Sequence, residues 1–240
     1  MWVKVLSYAL TGYTAIKLKD YIQNVSLESS ISKAEDRVYR LNTQHKKRDM
    51  LKMQFREKII ETRGTAFLYK DDTLVTTKSN LSAYLKTSAT NEYLSIWDKD
   101  LKKCRIEVIG CLEGKDICFM KLLDKNKNHS DIKTVDRTKI GEHVFAASMP
   151  NFEPSCQIVH GHVHNKVDRG NGIYYKADVH LEKGSNGAPL FNSSGYLVGM
   201  MVECNHTGIS YALTSEEIDD AYKILTGQRD IKKEEQIPKF

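Results

Sequence analysis

From residue 61 onward the chain is built of short apolar runs separated by turn signals, and no run is long enough for an extended helix until residue 215. "GTAFLYKDDTLVTT" reads as a strand, an Asp71-Asp72 turn and a second strand. "EYLSIWDKD", "CRIEVIGCLEGKDICFMKLL", "GEHVFAASM", "QIVHGHVHNKV", "GIYYKADV", "GAPLFNSSGYLVGMMVEC" and "GISYAL" follow in the same manner. Many short strands at regular spacing restrict the fold to a β-sandwich or a pair of β-barrels. One helix closes the pattern, from roughly Ser215 to Leu225. Ser215 suits the N-cap, Glu216 and Glu217 lie in the positive first turn, and Ile218, Ala221, Tyr222 and Leu225 form one apolar face.

The first sixty residues follow a different pattern. Residues 1–24 are basic, with no acid before Asp20, and carry a charge-free run from Val5 to Ile16. As a helix that run spans about 18 Å, short of a hydrocarbon core of about 30 Å. Flanking aromatic residues and snorkelling lysines extend its reach. Three readings stay open: a mitochondrial targeting segment, a membrane anchor or interfacial helix through residues 1–22, and a helix packed on a partner protein. Residues 25–62 predict an amphipathic helix, because Leu27, Ile31, Ala34, Val38 and Leu41 recur in steps of four and three, a spacing that fits a short coiled-coil seam or a helix lying on its own domain. The segment carries a small basic cluster, His45 to Arg48, and continues with Leu51, Phe55 and Ile59 spaced by four. The aromatic interleaving of a strand-binding groove is missing there, which argues against nucleic acid. The organisation expected is therefore 1–24, 25–62, a β domain over 63–227 and a charged tail over 228–240.

The five cysteines, Cys104, Cys111, Cys118, Cys156 and Cys204, are odd in number and have no C-x-x-C pair. That spacing predicts free thiols, not a disulfide framework or a zinc ribbon. The net charge of +5 is too small to select a polyanionic partner.

The order of the β segments adds a resemblance. "GTAFLYKDDTLVTTKSNL" is similar to the first hairpin of HtrA-type serine proteases of the trypsin-like fold, which ends in T-N-x-H-V. "GKDICFMKL" resembles their D-I/L-A-x-L-K motif, "IGEHVFAASMP" their V-G-x-x-V-x-A-x-G-x-P strand and "IVHGHV" their T-x-G-x-V. "ADVHLEKGSNGAPLFNSSGYLVGM" resembles the segment around their G-N-S-G-G-P loop, and "GISYAL" the strand that precedes their last helix. The resemblance covers about Gly64 to Leu225. It implies a mainly β protein of two six-stranded β-barrels with a C-terminal helix, here preceded by a long N-terminal helical segment. Only the short tail follows, so no PDZ-like domain is expected.

In such enzymes a serine attacks, a histidine takes its proton and an aspartate orients the histidine. The resemblance puts the aspartate at Asp116, the histidine at Ser79 and the nucleophile at Asn186, with Gly184, Ser185 and Gly187 as the former oxyanion loop. The spacings, 37 residues from Ser79 to Asp116 and 70 from Asp116 to Asn186, suit two barrels. A serine hydroxyl does not titrate near neutrality and is no general base. A carboxamide is no useful nucleophile. The turn-forming residues of the loop are kept, and the two residues that serve only chemistry are not. This implies a pseudoprotease without a cofactor.

"HGHVH" adds His160, His162 and His164, which share one face of a strand. Imidazoles so placed are candidate ligands for zinc or copper, but next-nearest positions on a strand lie about 6–7 Å apart, too far for the outer two to share one ion. The function expected is that of a non-catalytic accessory subunit, held to the protein subunits of a larger, membrane-associated mitochondrial assembly by its N-terminal helices. A peptide-binding regulator that does not cut, and a protease with a rebuilt site, are the alternatives.

Overall fold

A computed structural model describes residues 24–51, 54–86, 93–124, 131–135, 137–150, 155–204 and 208–227. The segments expected at 1–23 and 228–240 lie outside these residues. Among the described residues no helix is long and apolar enough to cross a membrane.

The long helix expected over 25–62 does not form. A helix, α1, covers 24–35, and the chain then turns into two paired strands, β1 (Val38–Leu51) and β2 (Gln54–Leu68), in register from Val38↔Phe67 to Leu51↔Gln54. The misreading has a physical cause. A spacing of three residues, as between Val38 and Leu41, puts two side chains on one side of a helix but on opposite faces of a strand. Val38 is buried between the lobes and Leu41 in the first lobe, so the spacing satisfied either pattern. Tyr39, Leu41 and Thr43 point into the first lobe and alternate with partly exposed Arg40, Asn42 and Gln44, which is the strand period.

The first lobe is a seven-stranded sheet, completed by β3 (Thr73–Thr76), β4 (Tyr93–Trp97), β5 (Lys103–Cys104), β6 (Ile106–Cys111) and β7 (Cys118–Leu122). Its order is β5-β4-β1-β2-β3-β7-β6. The sheet is a half-barrel, not the closed six-stranded barrel expected. Its two edge strands, β5 and β6, are consecutive in the chain and joined by Arg105. Between β2 and β3 the Asp71-Asp72 turn forms, with both residues left-handed at φ 46° and 58°. Between β3 and β4 lies a helix, α2 (Lys78–Lys86).

The second lobe is a closed six-stranded barrel of β8 (His143–Ser148), β9 (Gln157–Asp168), β10 (Ile173–Ala177), β11 (Pro189–Asn192), β12 (Leu197–Cys204) and β13 (Ser210–Thr214), in the order β10-β13-β12-β11-β8-β9. The terminal helix α3 (Ser215–Leu225) buries Ile218, Ala221 and Tyr222, as its apolar face predicts. Its N-cap is Thr214, not Ser215. Thr214 ends β13 with extended backbone and accepts from Glu217 N, while Ser215 Oγ donates to Val135 O at 2.9 Å.

Three cores hold these parts. One fills the first lobe with Tyr39, Leu41, Leu74, Ile96 and Met120, and another fills the barrel with Val144, Val163, Leu190 and Met201. The third lies between the lobes. It joins Val38, Phe67 and Phe119 on the outside of the sheet to Phe145, Phe191, Leu197 and Leu213 on the outside of the barrel, with Ala34 from α1 and Tyr222 from α3. Strands buried on both faces lose the clean alternation that marks half-exposed ones.

The cysteine expectation also needs correction. Cys111 and Cys118 are direct partners in the β6–β7 register, with Cα atoms 4.0 Å apart, and form a disulfide. A seven-residue separation does not reveal this. An irregularity between Val108 and Gly110 shifts the register by one residue and brings the two thiols opposite. Cys104 and Cys156 are free.

Candidate functional site

Of the three positions singled out from the sequence, Ser79 and Asp116 are in direct contact, and Asn186 is bonded to Asn80, the neighbour of Ser79. β3 ends at Thr76, and two residues later Lys78 starts α2, which places Ser79 in the first helical turn. Asp116 lies in the turn between β6 and β7. Its carboxylate accepts from Ser79 N at 2.7 Å through Oδ1 and from Ser79 Oγ at 3.2 Å through Oδ2. Ser79 Oγ also lies 3.0 Å from Thr77 Oγ1. The contact between Ser79 and Asp116 is therefore doubly bonded and needs no third group to complete it. The neighbouring Lys115 pairs with Glu217 of α3, which ties the same turn to the terminal helix.

Asn186 sits in the loop before β11, where Gly184 and Gly187 adopt left-handed φ of 96° and 88°. Its carbonyl accepts from Thr65 N at 2.9 Å and from Asn80 Nδ2 at 2.8 Å. Gly187 N donates to Met201 O at 2.7 Å, and Ala188 N to Ser185 O at 2.9 Å. Ser185 is fully buried, so its hydroxyl is shut off from solvent. Gly184 O accepts from Thr65 Oγ1 at 2.9 Å.

Around this loop lies a buried polar network that the sequence did not single out. Thr65 Oγ1 accepts from Met149 N at 3.1 Å, Thr76 Oγ1 donates to Thr65 O at 2.8 Å, and Asn80 Nδ2 donates to Thr76 Oγ1 at 3.0 Å. Thr43 Oγ1 donates to Asn80 O at 3.1 Å. Thr43, Thr65, Thr76 and Asn80 are all buried. Buried polar groups are costly unless paired, and here each finds a partner. Asn80 bonds to both lobes, through Thr76 on one side and Asn186 on the other. Its neighbour Ser79 is thereby held beside the loop of Asn186. Gly64 leaves room for Asn80, since a Cβ at residue 64 would lie 2.2 Å from Asn80 Nδ2. The available signal was the "GT" pair at 64–65 together with "TTKSN", small and polar residues where strand and helix ends meet.

The histidine run behaves as its period predicts. His160, His162 and His164 on β9 are exposed and alternate with buried Gly161 and Val163. Asp178 lies 3.3 Å from His164 Nε2 and 3.9 Å from His162 Nδ1. Among the described residues no group of three His, Cys, Asp or Glu side chains is arranged to hold a metal ion as it stands.

A half-barrel and a closed barrel packed outside to outside, a terminal helix tied to both, and a loop of the second bonded to Thr65 and Asn80 of the first together define the two-lobed peptidase fold. The chain belongs to the family of trypsin-like peptidase domains, whose model matches residues 64–200. Among solved structures it is similar to a substituted variant of the HtrA-type protease AlgW with a decapeptide. That match has a TM-score of 0.71 and 15% identity, over 85% of this chain and 68% of that one. AlgW with decapeptide in its unsubstituted form matches at TM-score 0.65 and 16% identity, over 83% and 67% of the two chains. The inactive form of a serine-to-alanine mutant of Rv3671c from M. tuberculosis matches at TM-score 0.62 and 13% identity, over 85% and 93%. No curated protein matches the chain.

Proposed function

We propose that this chain is a trypsin-like domain without peptidase activity, which acts as an accessory or interaction subunit. The observation that carries this reading is the pairing of Asp116 with Ser79. In the trypsin-like mechanism the acid orients an imidazole, which activates a hydroxyl on the opposite lobe. Here the acid is engaged by a backbone N–H and a serine hydroxyl, and the residue that the resemblance puts at the nucleophile position is Asn186. Loss of base or nucleophile from such a triad costs on the order of a millionfold in turnover. Buried Ser185 offers no replacement. The polar network that holds the loop needs none of the lost groups, so the fold is free to persist as a packing module. The acid-free, basic start of the sequence supports attachment to a mitochondrial, membrane-associated assembly through the N-terminal residues.

The catalytic part is tested by exposing the purified protein to fluorophosphonate and thiol-directed probes and to a peptide library. Neither labelling nor cleavage is expected, and a labelled active-site residue with cleavage would overturn the reading. Ser79→His combined with Asn186→Ser is expected to restore detectable labelling, because Asp116 already stands beside residue 79. The accessory role is tested by native purification and identification of co-purifying proteins, and recovery as a lone monomer would sink it.

A further inference from the structure

Half of the chain's eight histidines, His143, His160, His162 and His164, gather on the outer surface of the second barrel. His143 lies on β8, directly opposite His162 in the β8–β9 register, with His160 diagonal to it. His143 Nε2 is 3.2 Å from His160 Nδ1, and the two rings stack with centroids 5.2 Å apart. Two imidazole nitrogens bound tetrahedrally to one zinc ion at 2.0–2.1 Å are separated by about 3.3–3.4 Å. The gap between the two nitrogens is thus already close to that of a chelating pair.

We propose that His143 and His160 form a surface site for a divalent transition ion of the zinc and copper class, with His162 as the third ligand. Two further observations fit a ligand pair. His143 Nδ1 lies 2.9 Å from Ser193 Oγ in the turn after β11. When Nδ1–H donates to that hydroxyl, the proton stays on Nδ1 and the lone pair of Nε2 faces His160. Such an outer partner is the usual means of fixing a metal-binding tautomer. The ring of His162 stands edge-on to His143 at 5.6 Å, and its exposed side chain is free to turn toward the pair. Asp178 is placed to orient it, accepting from His162 N and lying 3.9 Å from His162 Nδ1.

In the metal-free protein one hydrogen is shared between His143 Nε2 and His160 Nδ1. The ion takes its place, and the proton of His160 moves to Nε2, so both rings remain neutral and no proton is released. Water fills the remaining position. His160 and His164 cannot share an ion, being four residues apart on one strand, and the neighbouring strand supplies the second donor instead. The imidazole donors favour zinc or copper over magnesium or calcium, which prefer oxygen.

The test is calorimetric titration of the full chain with zinc chloride, with the thermal midpoint followed in parallel. The wild type is expected to bind one equivalent saturably and to gain thermal stability. His143→Gln and His160→Gln are each expected to weaken binding more than tenfold, Ser193→Ala about tenfold, and His164→Gln not at all. No saturable binding by the wild type, or equal binding by His143→Gln, His160→Gln and the wild type, would overturn the proposal. The substituted side chains lie on the barrel surface. Should His143→Gln fail to fold, His160→Gln and Ser193→Ala decide the matter by themselves.

Discussion

Gly187 shows how closely the loop of one lobe is packed on the other. A Cβ there would lie 2.1 Å from Thr65 O and 2.7 Å from Thr76 Oγ1, at a backbone φ of 88°. Gly141 has nearly the same φ, 80°, but open space around it. The two positions separate backbone strain from collision. Gly141→Ala incurs only the left-handed penalty, about 1–2 kcal/mol. Gly187→Ala adds overpacking against main-chain atoms that cannot yield, for a total of about 3 kcal/mol or more. Urea denaturation midpoints should rank them in that order, and equal losses would show that the loop of Asn186 is not clamped as described. The sequence identified this glycine as a turn residue. It could not show what the turn presses against, because Thr65, Thr76 and Asn80 lie more than a hundred residues away in the chain.

Among the elements, α3 is the one whose sequence signals were clearest, and its anchoring is a tertiary feature. Asp219 accepts from Lys70 Nζ at 2.6 Å and Tyr69 Oη at 3.0 Å, and pairs with Lys223 one turn along the helix at 2.5 Å. Burial opposes its charge, but the hydrogen bonds from Lys223, Lys70 and Tyr69 prevail and hold its carboxyl at about 2, below the ordinary 3.8. A carboxyl depressed on folding adds stability that is complete above its unfolded pKa and fades as pH falls through the folded one. Asp219→Asn should therefore lower the thermal midpoint at pH 5, with the gap to wild type closing between about pH 4 and pH 2. A gap that stays constant through this range would refute the assignment. The β1–β2 hairpin is the opposite case. Its apolar spacing satisfied a helix until the two separate cores on either face of β1 were known. The Cys111–Cys118 disulfide depends in the same way on a register shift that no spacing rule reveals.

At the scale of the whole molecule, the core between the lobes decides how the chain unfolds. Phe145, Phe191, Leu197 and Leu213 lie outside the barrel, yet are buried by Val38, Phe67, Phe119 and α3. Neither lobe can lose its partner without exposing that surface. Denaturation followed by tryptophan fluorescence and by far-ultraviolet circular dichroism should thus give superimposable single transitions, whereas two resolved steps would mean that the lobes are independent. The strand-length runs after residue 61 and the turn residues determined by themselves a mainly β protein with a terminal helix, and the resemblance carried by its ordered motifs implied two lobes and pointed to Ser79, Asp116 and Asn186. Those features are local, set by backbone preference and by short-range alternation of apolar side chains. The tertiary structure decided the fate of residues 38–60, the disulfide, the polar bridge through Asn80 and the approach of His143 to His160. Each of these depends on which distant segments share a face, and that is settled by the burial of whole surfaces.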